Sequence, residues 1–462
     1  MITTADLPQN SDPMYRRLGD AFLNKISADE LVADTRLPAI RTLASALNVN
    51  NTTVVSAYKY LEQKRAVYSV MGSGTYVARK TETVNSQAAS IPLADDCINF
   101  ASTEFTNSEE VSAHFPTDDF RSAFDMVLTR NGANAFSYAG QRGFLPLRES
   151  VCTLLSQSSV SVEPHEIQIT ASLRDGLEIL LDGLINPGDA VVLESPCAQW
   201  VTAAFAFSGA KIYELPLTEN GPDLERLFFL AKKFKPKLFF LSTNYQFPTG
   251  LCYTDDAKEK ILEIARNFDA YIIESDDYGD FFYNKIKIPL KAADTNGRVI
   301  YMKSFERMLT PGLVGYIACA EAVVNRLRES ERASGYIQRS LDVYLRNSDF
   351  NAHCTNVRGA FAKKYRRAIT AAETFLSPYA SYIVPGGGLG LWVSPKDSRK
   401  TSKFIDAFLR SKVLVSPGRL YAPIALSSAM AERHFRISFA NSTEDEISKG
   451  IGIIASVLAR GE

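Results

Sequence analysis

A chain of 462 residues exceeds what one hydrophobic core usually organises, so its length predicts two or three folded units. Hydrophobic residues make up 46% of the chain and the formal net charge is -1, which is ordinary for a globular protein and excludes a strongly charged chain. No apolar run reaches the roughly 20 residues of a membrane-spanning helix, and the N-terminal segment lacks the pattern of an export signal, so we expect a cytoplasmic protein.

The cysteines and histidines offer little for disulfide or metal chemistry. Six cysteines are scattered along the chain without a close pair, which disfavours a disulfide framework and a thiolate metal site. The four histidines are also far apart in the sequence, so we expect no bound metal.

Residues 13–80 carry a basic excess that the overall charge hides. This segment contains ten lysines and arginines against five acidic residues. Such an excess on a small segment is a plausible electrostatic footprint for a phosphate backbone, although many surface helices share it. The charge therefore indicates nucleic-acid binding only together with a structural pattern.

Apolar spacing within the same segment predicts two helices, a polar break between them and a hairpin. Helical spacing relates Ile40, Leu43, Ala44 and Leu47. Residues 48–51 interrupt this pattern, and residues 52–61 restart a helix. Two short strands over 66–70 and 75–78, joined by glycines, predict a β-hairpin. The order is typical of a winged helix-turn-helix, whose second helix presents its first residues to DNA.

Several of these motifs resemble the winged-helix domain of GntR-type regulators, namely Arg36-Leu37-Pro38, the helix from Thr52 to Leu61 and Gly72-Ser73-Gly74-Thr75. The resemblance implies that Arg36 and Arg41 contact phosphates or base edges. It also implies that Thr52 and Thr53 lie at the major groove, and that Gly72 brings the backbone of the wing close to DNA. Asn50, Asn51 and Thr52 differ from many relatives, so the operator sequence stays open.

The rest of the chain is predicted to form a linker and an α/β domain. We expect a DNA-binding domain of α+β class over residues 12–80, a polar linker over 81–96 and a main domain over 97–462. Apolar runs at 190–193, 238–241, 271–273 and 299–302 alternate with helical patterns, which predicts a mostly parallel sheet covered on both faces. A large domain over about 120–320 and a small domain over about 321–462 would divide this part.

The order of motifs in the main domain resembles the fold-type I aminotransferase scaffold, and its fusion behind a winged helix resembles the MocR branch of GntR-type regulators. Residues 186–191, the turn Phe247-Pro248-Thr249-Gly250 and the strand around Arg436 carry the resemblance. By this resemblance, Asp276 would face the pyridine nitrogen of pyridoxal 5'-phosphate and Tyr278 would bond its ring hydroxyl. Arg436 would hold a substrate carboxylate in a bidentate pair.

Other positions depart from the family pattern. Arg307 stands at the place of the lysine that forms the covalent link with the cofactor, and a guanidinium is no nucleophile near neutral pH. The phosphate-binding loop includes Ser172 and Leu173, and it lacks the usual glycine. Ala198 replaces the aromatic residue expected to stack on the cofactor ring. Ser304, just before the altered lysine position, completes the candidate contacts to a cofactor or effector.

These departures favour a DNA-binding transcription regulator with a degenerate aminotransferase-like domain for dimerisation and ligand sensing. Arg307 and Arg436 would bind an anionic effector or a free vitamer in one cleft, with no covalent attachment. One alternative is a regulator that senses pyridoxal 5'-phosphate or an amino acid, binding the cofactor noncovalently or through another lysine such as Lys303. A second alternative is an active aminotransferase. Because fold-type I scaffolds resemble obligate dimers, we expect a homodimer that reads two half-sites of double-stranded DNA.

Overall fold

A computed structural model describes most of the chain outside its termini and a few connecting segments. The described residues are 13–27, 31, 35, 37–63, 66–70, 74–77, 97–101, 109–309, 313–330, 332–396, 401–422 and 432–461. The chain divides into two compact units, residues 1–95 and residues 96–462. Arg36, Gly72 and the predicted linker over 81–96 lie outside the described residues.

The described residues of the first unit form three helices and a hairpin. They are α1 (Met14–Ser27), α2 (Ile40–Leu47), α3 (Asn51–Gln63), β1 (Val67–Val70) and β2 (Gly74–Val77). Leu43, Ala44 and Leu47 on α2 are buried as the spacing predicts, whereas Ile40 stays 37% exposed at the start of that helix. The strands pair antiparallel with Val67 opposite Val77, which confirms the predicted hairpin.

Two asparagines make the turn between α2 and α3. Asn48 adopts the left-handed conformation (φ 52°, ψ 46°), and its backbone N–H donates to carbonyl groups of the last turn of α2. Asn50 then accepts a hydrogen bond from the Thr52 backbone N–H through Oδ1 at 3.2 Å, as an N-cap does. The polar break read from the sequence is thus a C-cap followed by an N-cap.

The second unit contains two sheets. Its first helices and strands are β3 (Ile98–Phe100), α4 (Glu109–Ala113), α5 (Thr117–Asn131), α6 (Leu145–Gln157), β4 (Ile167–Thr170), α7 (Leu173–Leu184), β5 (Ala190–Ser195), α8 (Gln199–Phe207), β6 (Lys211–Thr218), β7 (Gly221–Pro222), α9 (Leu224–Phe234), β8 (Leu238–Leu241), α10 (Asp255–Asn267) and β9 (Tyr271–Ser275). They continue with β10 (Val299–Ser304), β11 (Gly315–Ala318), α11 (Glu321–Val324), α12 (Gly335–Asn347), α13 (Phe350–Ala371), β12 (Ala380–Tyr382), β13 (Gly390–Pro395), α14 (Thr401–Arg410), β14 (Val413–Pro417), β15 (Phe435–Ser438) and α15 (Glu444–Arg460).

The larger sheet is mixed and mostly parallel. Its order is β4-β11-β10-β9-β8-β5-β6-β7. Strands β10, β9, β8, β5 and β6 run parallel, while β11 and β7 run antiparallel to their neighbours. Alternate residues of each central strand face opposite layers: Phe240 packs in the cluster with α7 and α8, and Phe239 in the cluster with α9 and α10. Both faces are therefore covered, as the apolar runs predict.

The smaller sheet brings together distant parts of the chain. Its order is β12-β13-β15-β14-β3, so a strand from the start of the unit pairs with strands from its end. Strand β3 runs parallel to β14, with Val413 opposite Ile98. Helices α13, α14 and α15 supply much of the core on this sheet. Strand β15 carries Arg436 toward the ends of the larger sheet's strands, as the aromatic contacts described below show.

Candidate functional site

A small cavity lies where the parallel strands β5, β8 and β9 end. Its lining includes Cys197 after β5, Ser242 after β8, Asp277 and Tyr278 after β9, and Arg307 after β10. Open α/β sheets bind ligands at this edge because the carboxyl ends of their strands meet there. The cavity measures about 30 Å³, room for roughly one water molecule, whereas pockets for organic ligands span hundreds of Å³.

Arg307 enters this cavity as half of an ion pair. Its Nε and Nη2 lie 2.9 Å and 2.7 Å from Oδ2 of Asp277. Its guanidinium carbon lies 4.9 Å from the centre of the Tyr278 ring. The side chains are 20% and 16% exposed, so the pair is largely shielded from water. The positive charge of Arg307 is already matched by this chain's own carboxylate.

Tyr278 in turn stacks on Phe247, from the Phe247-Pro248-Thr249-Gly250 turn. The ring centres are 5.5 Å apart and the planes differ by 5°. The guanidinium carbon of Arg436 lies 4.7 Å from the centre of Phe247. The two arginines that the sequence placed in one cleft therefore contact neighbouring rings of a single aromatic pair.

Arg436 is buried, and no described carboxylate forms an ion pair with it. This residue is 2% exposed, and its Nε and Nη1 find no hydrogen-bond acceptor among the described residues. Gly390 makes room for it, since a Cβ atom there would lie 2.7 Å from Nη2. Buried guanidinium N–H groups without acceptors are costly, so this side chain is suited to an anionic ligand.

Asp276 contacts residues of β10 through Oδ2, whereas its Oδ1 is buried with no hydrogen-bond partner among the described residues. Tyr301 donates a hydrogen bond to its Oδ2 at 2.6 Å, and Lys303 Nζ lies 3.6 Å from the same oxygen. Lys303 also donates to Oδ1 of Asp280 at 2.9 Å. Burial raises the pKa of Asp276, and the Lys303 ammonium opposes that increase. Asp276 is not among the residues that line the cavity.

The remaining candidates from the phosphate loop and the lysine segment have structural partners. Ser172 is the N-cap of α7, and its Oγ accepts from the Asp175 backbone N–H at 3.1 Å. Leu173 is buried in the core beneath α7. Ser304 accepts a hydrogen bond from the Glu306 backbone N–H at 2.9 Å. These three residues do not line the cavity.

Two acidic groups at this site were not predicted from the sequence. Asp277, next to Asp276, is the partner of Arg307. Glu194, at the end of β5, is fully buried and accepts hydrogen bonds from Tyr253, Gln246 and the Ser242 backbone. Burial raises the pKa of Glu194. The only sequence signal for Glu194 is its position at the end of a buried apolar strand.

Taken together, these residues do not fit pyridoxal 5'-phosphate. No lysine is among the described residues lining the cavity, and its volume is far below that of a cofactor pocket. Oδ2 of Asp276 already lies 3.6 Å from the Lys303 ammonium, and Asp276 does not line the cavity. Asp175 accepts from the Ala171 backbone N–H at 2.9 Å, so a carboxylate already occupies the start of α7.

The first unit presents a separate polar face on α3. Asn51 and Thr52 are exposed at the start of this helix, and Thr53 is half-buried. Ser56 and Lys59 are exposed one and two turns further on, at spacings that extend the same helix face. Arg41 is exposed on α2. Of the five predicted DNA contacts, three are therefore described as surface or near-surface side chains.

The described residues contain no helix long and apolar enough to cross a bilayer. Within the same part of the chain, no group of three or more His, Cys, Asp or Glu side chains is arranged to hold a metal ion.

Comparison with known families assigns both units. The family described as "Aminotransferase class I and II" matches residues 95–454, which is most of the chain. The family described as "Bacterial regulatory proteins, gntR family" matches residues 14–77.

Individual relatives share this two-part organisation or the fold of the larger unit. The chain is 26% identical to the uncharacterized HTH-type transcriptional regulator YdfD of Bacillus subtilis, over 95% of each protein. It is 21% identical to the HTH-type transcriptional regulator NorG of Staphylococcus aureus, over 90% of this chain and 98% of that protein. The structure of a kynurenine aminotransferase from Pyrococcus horikoshii superposes with a TM-score of 0.73 at 23% identity, covering 81% of this chain and 94% of that one. That last similarity establishes the fold alone.

Proposed function

The chain belongs to the class I and II aminotransferase family and carries an N-terminal gntR-family domain, and from this premise we propose a regulator that senses a small carboxylate without catalysing transamination. That the chain is a transcription regulator with an aminotransferase-like domain follows from the families of its two units. The carboxylate ligand and the absence of catalysis are our proposals.

Arg307 supports the loss of catalysis. A guanidinium keeps its proton at any physiological pH, so it has no free electron pair to attack an aldehyde. In this structure it is also held by Asp277 and by the face of Tyr278. A transamination assay with amino acids, 2-oxoglutarate and added cofactor should show no turnover. Measurable turnover would contradict this part of the proposal.

The observation that carries the ligand proposal is the buried guanidinium of Arg436, whose Nε and Nη1 have no hydrogen-bond acceptor among the described residues. A carboxylate would supply a charged acceptor for the N–H groups of this guanidinium. The cavity beside it has room for about one water molecule, so a ligand must displace the stacked rings of Phe247 and Tyr278 to enter. Binding would therefore favour a second arrangement of this site over the one described.

A homodimer would complete such a regulator. Phe136, at the end of a short 3₁₀ helix, is 65% exposed and Tyr138, two residues later, is 69% exposed, and Leu145 is 49% exposed at the start of α6. Large exposed apolar side chains grouped on one segment support an interaction surface. Two copies would place two winged helices on two half-sites of an operator.

DNA affinity tests the ligand proposal. Fluorescence anisotropy would follow binding to DNA from upstream of the protein's own gene, during titration with amino acids, 2-oxo acids and dicarboxylates. At least one of these carboxylates should shift the affinity, and Arg436→Met should abolish the shift. Arg433→Met is the matched control, since Arg433 is an exposed arginine on the same segment. An unchanged half-effective concentration in Arg436→Met, or no response of the wild type to any carboxylate, would refute it.

A further inference from the structure

We propose that Lys303 is an internal counter-ion that excludes pyridoxal 5'-phosphate from this site, because it takes the place beside Asp276 that a cationic ring nitrogen would need. By the family resemblance, Asp276 is the carboxylate that pairs with the cofactor ring. In this chain that carboxylate already has a cation. The inference concerns the selectivity of the site, and it holds whether or not the carboxylate ligand of Arg436 is identified correctly.

The geometry around Lys303 is that of a buried charge cluster. Strand β10 places its side chain beside the residues that follow β9, and the side chain is 17% exposed. Its Nζ lies 2.9 Å from Asp280 Oδ1 and 3.6 Å from Asp276 Oδ2. Tyr301 completes the group through its 2.6 Å hydrogen bond to Asp276. The Lys303 ammonium group therefore lies close to two carboxylates.

Gly279 leaves room for the Asp276 carboxylate in this position. A Cβ atom at residue 279 would lie 2.3 Å from both carboxylate oxygens of Asp276. The carboxylate thus occupies the space that any other side chain would fill. Tyr301 and Lys303 engage its Oδ2, whereas Oδ1 is buried with no hydrogen-bond partner among the described residues.

The electrostatics of the cluster follow from burial and pairing. Burial lowers the pKa of Lys303, but the neighbouring Asp280 and Asp276 outweigh it and raise the pKa above its ordinary value. Lys303 is therefore an ammonium group without a free electron pair, which makes it unsuited to act as a displaced cofactor lysine. A second cation beside Asp276 would be repelled by this ammonium.

It follows that restoring a lysine at residue 307 is insufficient for cofactor binding. Removing the Lys303 charge as well would leave Asp276 buried without its cation, and a cationic ring would then restore the balance. Lys303→Met keeps the length of the side chain and removes only the ammonium. Lys291 offers a matched control, since its ammonium forms a buried pair with Asp294 at 3.0 Å, with side chains 8% and 2% exposed.

The test compares the full-length wild type with Arg307→Lys, Arg307→Lys/Lys303→Met and Arg307→Lys/Lys291→Met. Each protein is incubated with pyridoxal 5'-phosphate, reduced with borohydride and dialysed, and the labelled peptide is identified by mass spectrometry. Label at residue 307 should be at least about tenfold higher in Arg307→Lys/Lys303→Met than in the other proteins. The reason is that repulsion between neighbouring like charges weakens binding affinity by more than about tenfold. Circular dichroism and gel filtration would show that each variant is folded.

Three results would overturn the proposal. They are equal labelling of residue 307 in Arg307→Lys and in Arg307→Lys/Lys303→Met, no labelling in the folded Arg307→Lys/Lys303→Met protein, and labelling of Lys303 in the wild type. If Lys303→Met prevents folding, Lys303→Gln is used in its place and the same criteria apply. None of these results depends on DNA binding, so they are distinct from the carboxylate titration that tests the proposed function.

Discussion

Tyr278 and Phe247 lie ring on ring, 5.5 Å between centres and 5° between planes, with the guanidinium of an arginine against each ring. The two arginines differ in one decisive respect. Arg307 is paired with Asp277, whereas the Nε and Nη1 groups of Arg436 are buried with no acceptor in the part of the chain that the structure describes. Among the described residues the site is therefore asymmetric, with one neutralised cation at the cavity and one cation without a carboxylate partner.

The Arg307–Asp277 pair should show energetic coupling. Arg307→Ala and Asp277→Asn each leave a largely buried partner without its counter-charge, so each should destabilise the protein, and the double variant should lose less than the sum. We expect a coupling free energy of about 1–2 kcal/mol from urea unfolding of the four proteins. The exposed Arg121–Asp118 pair, with side chains 66% and 90% exposed, is the control and should show no measurable coupling. Additive effects at Arg307 and Asp277 would argue against the pair.

Replacing Arg436 should stabilise the protein. Arg436→Met keeps an unbranched side chain against Phe247 and removes a buried charge that has no acceptor, so the free energy of unfolding should rise by about 1–3 kcal/mol. Arg433→Met, at an exposed position, should stay within about 0.5 kcal/mol of the wild type. Denaturant unfolding measures both. A loss of stability in Arg436→Met would mean that the guanidinium has a partner or packing role that the geometry does not reveal.

His353 should make stability depend on pH. It is buried on α13 with Nε2 2.6 Å from the Met308 carbonyl oxygen, and burial lowers its pKa. The unfolded chain therefore binds a proton that the folded protein does not, and stability is lost as pH falls through the unfolded pKa of about 6.5. His353→Gln removes this term, so the stability advantage of the wild type should shrink between pH 7.5 and 5.5. Phe350→Leu, at the stacked neighbour, should change stability equally at every pH; an equally constant difference for His353→Gln would contradict the prediction.

Thr52 should contribute to sequence recognition. It is exposed at the start of α3, where a recognition helix meets base edges. Thr52→Ala should weaken binding to the specific operator by about 1–3 kcal/mol and leave binding to random DNA nearly unchanged. Thr374→Ala, an exposed threonine in the other unit, should bind both DNAs like the wild type. Equal weakening on both DNAs would indicate a phosphate contact instead.

Arg41 should act on the phosphate backbone. Its exposed side chain on α2 belongs to the helix that precedes the recognition helix, the usual source of backbone contacts. Arg41→Gln should weaken binding to operator and random DNA alike, and it should reduce the slope of log affinity against log salt by about one. Anisotropy titrations at several salt concentrations measure the slope. A selective loss on the operator would assign Arg41 to base recognition.

Much of the fold was accessible from local patterns. The apolar runs at 190–193, 238–241, 271–273 and 299–302 correspond to β5, β8, β9 and β10, because a strand buried on both faces must be apolar throughout. The helix-turn-helix could also be predicted from local patterns, because the capping hydrogen bonds of Asn48 and Asn50 join residues that are at most four positions apart. Element bounds differed by a few residues, as at Asn51, where α3 begins one residue before the predicted start.

The residue types at the site could also be predicted from the sequence, but which side chains pair with each other could not. The sequence by itself determined that an arginine stands at residue 307 and that Asp276, Tyr278 and Arg436 are present. Only the tertiary structure decided that Asp277 pairs with Arg307, that Lys303 pairs with Asp276 and that Phe247 lies between Tyr278 and the buried Arg436. The reason is physical: propensity and periodicity act over a few neighbouring residues, whereas these contacts join side chains from different strands, and their charges and burial exist only once the sheets have assembled.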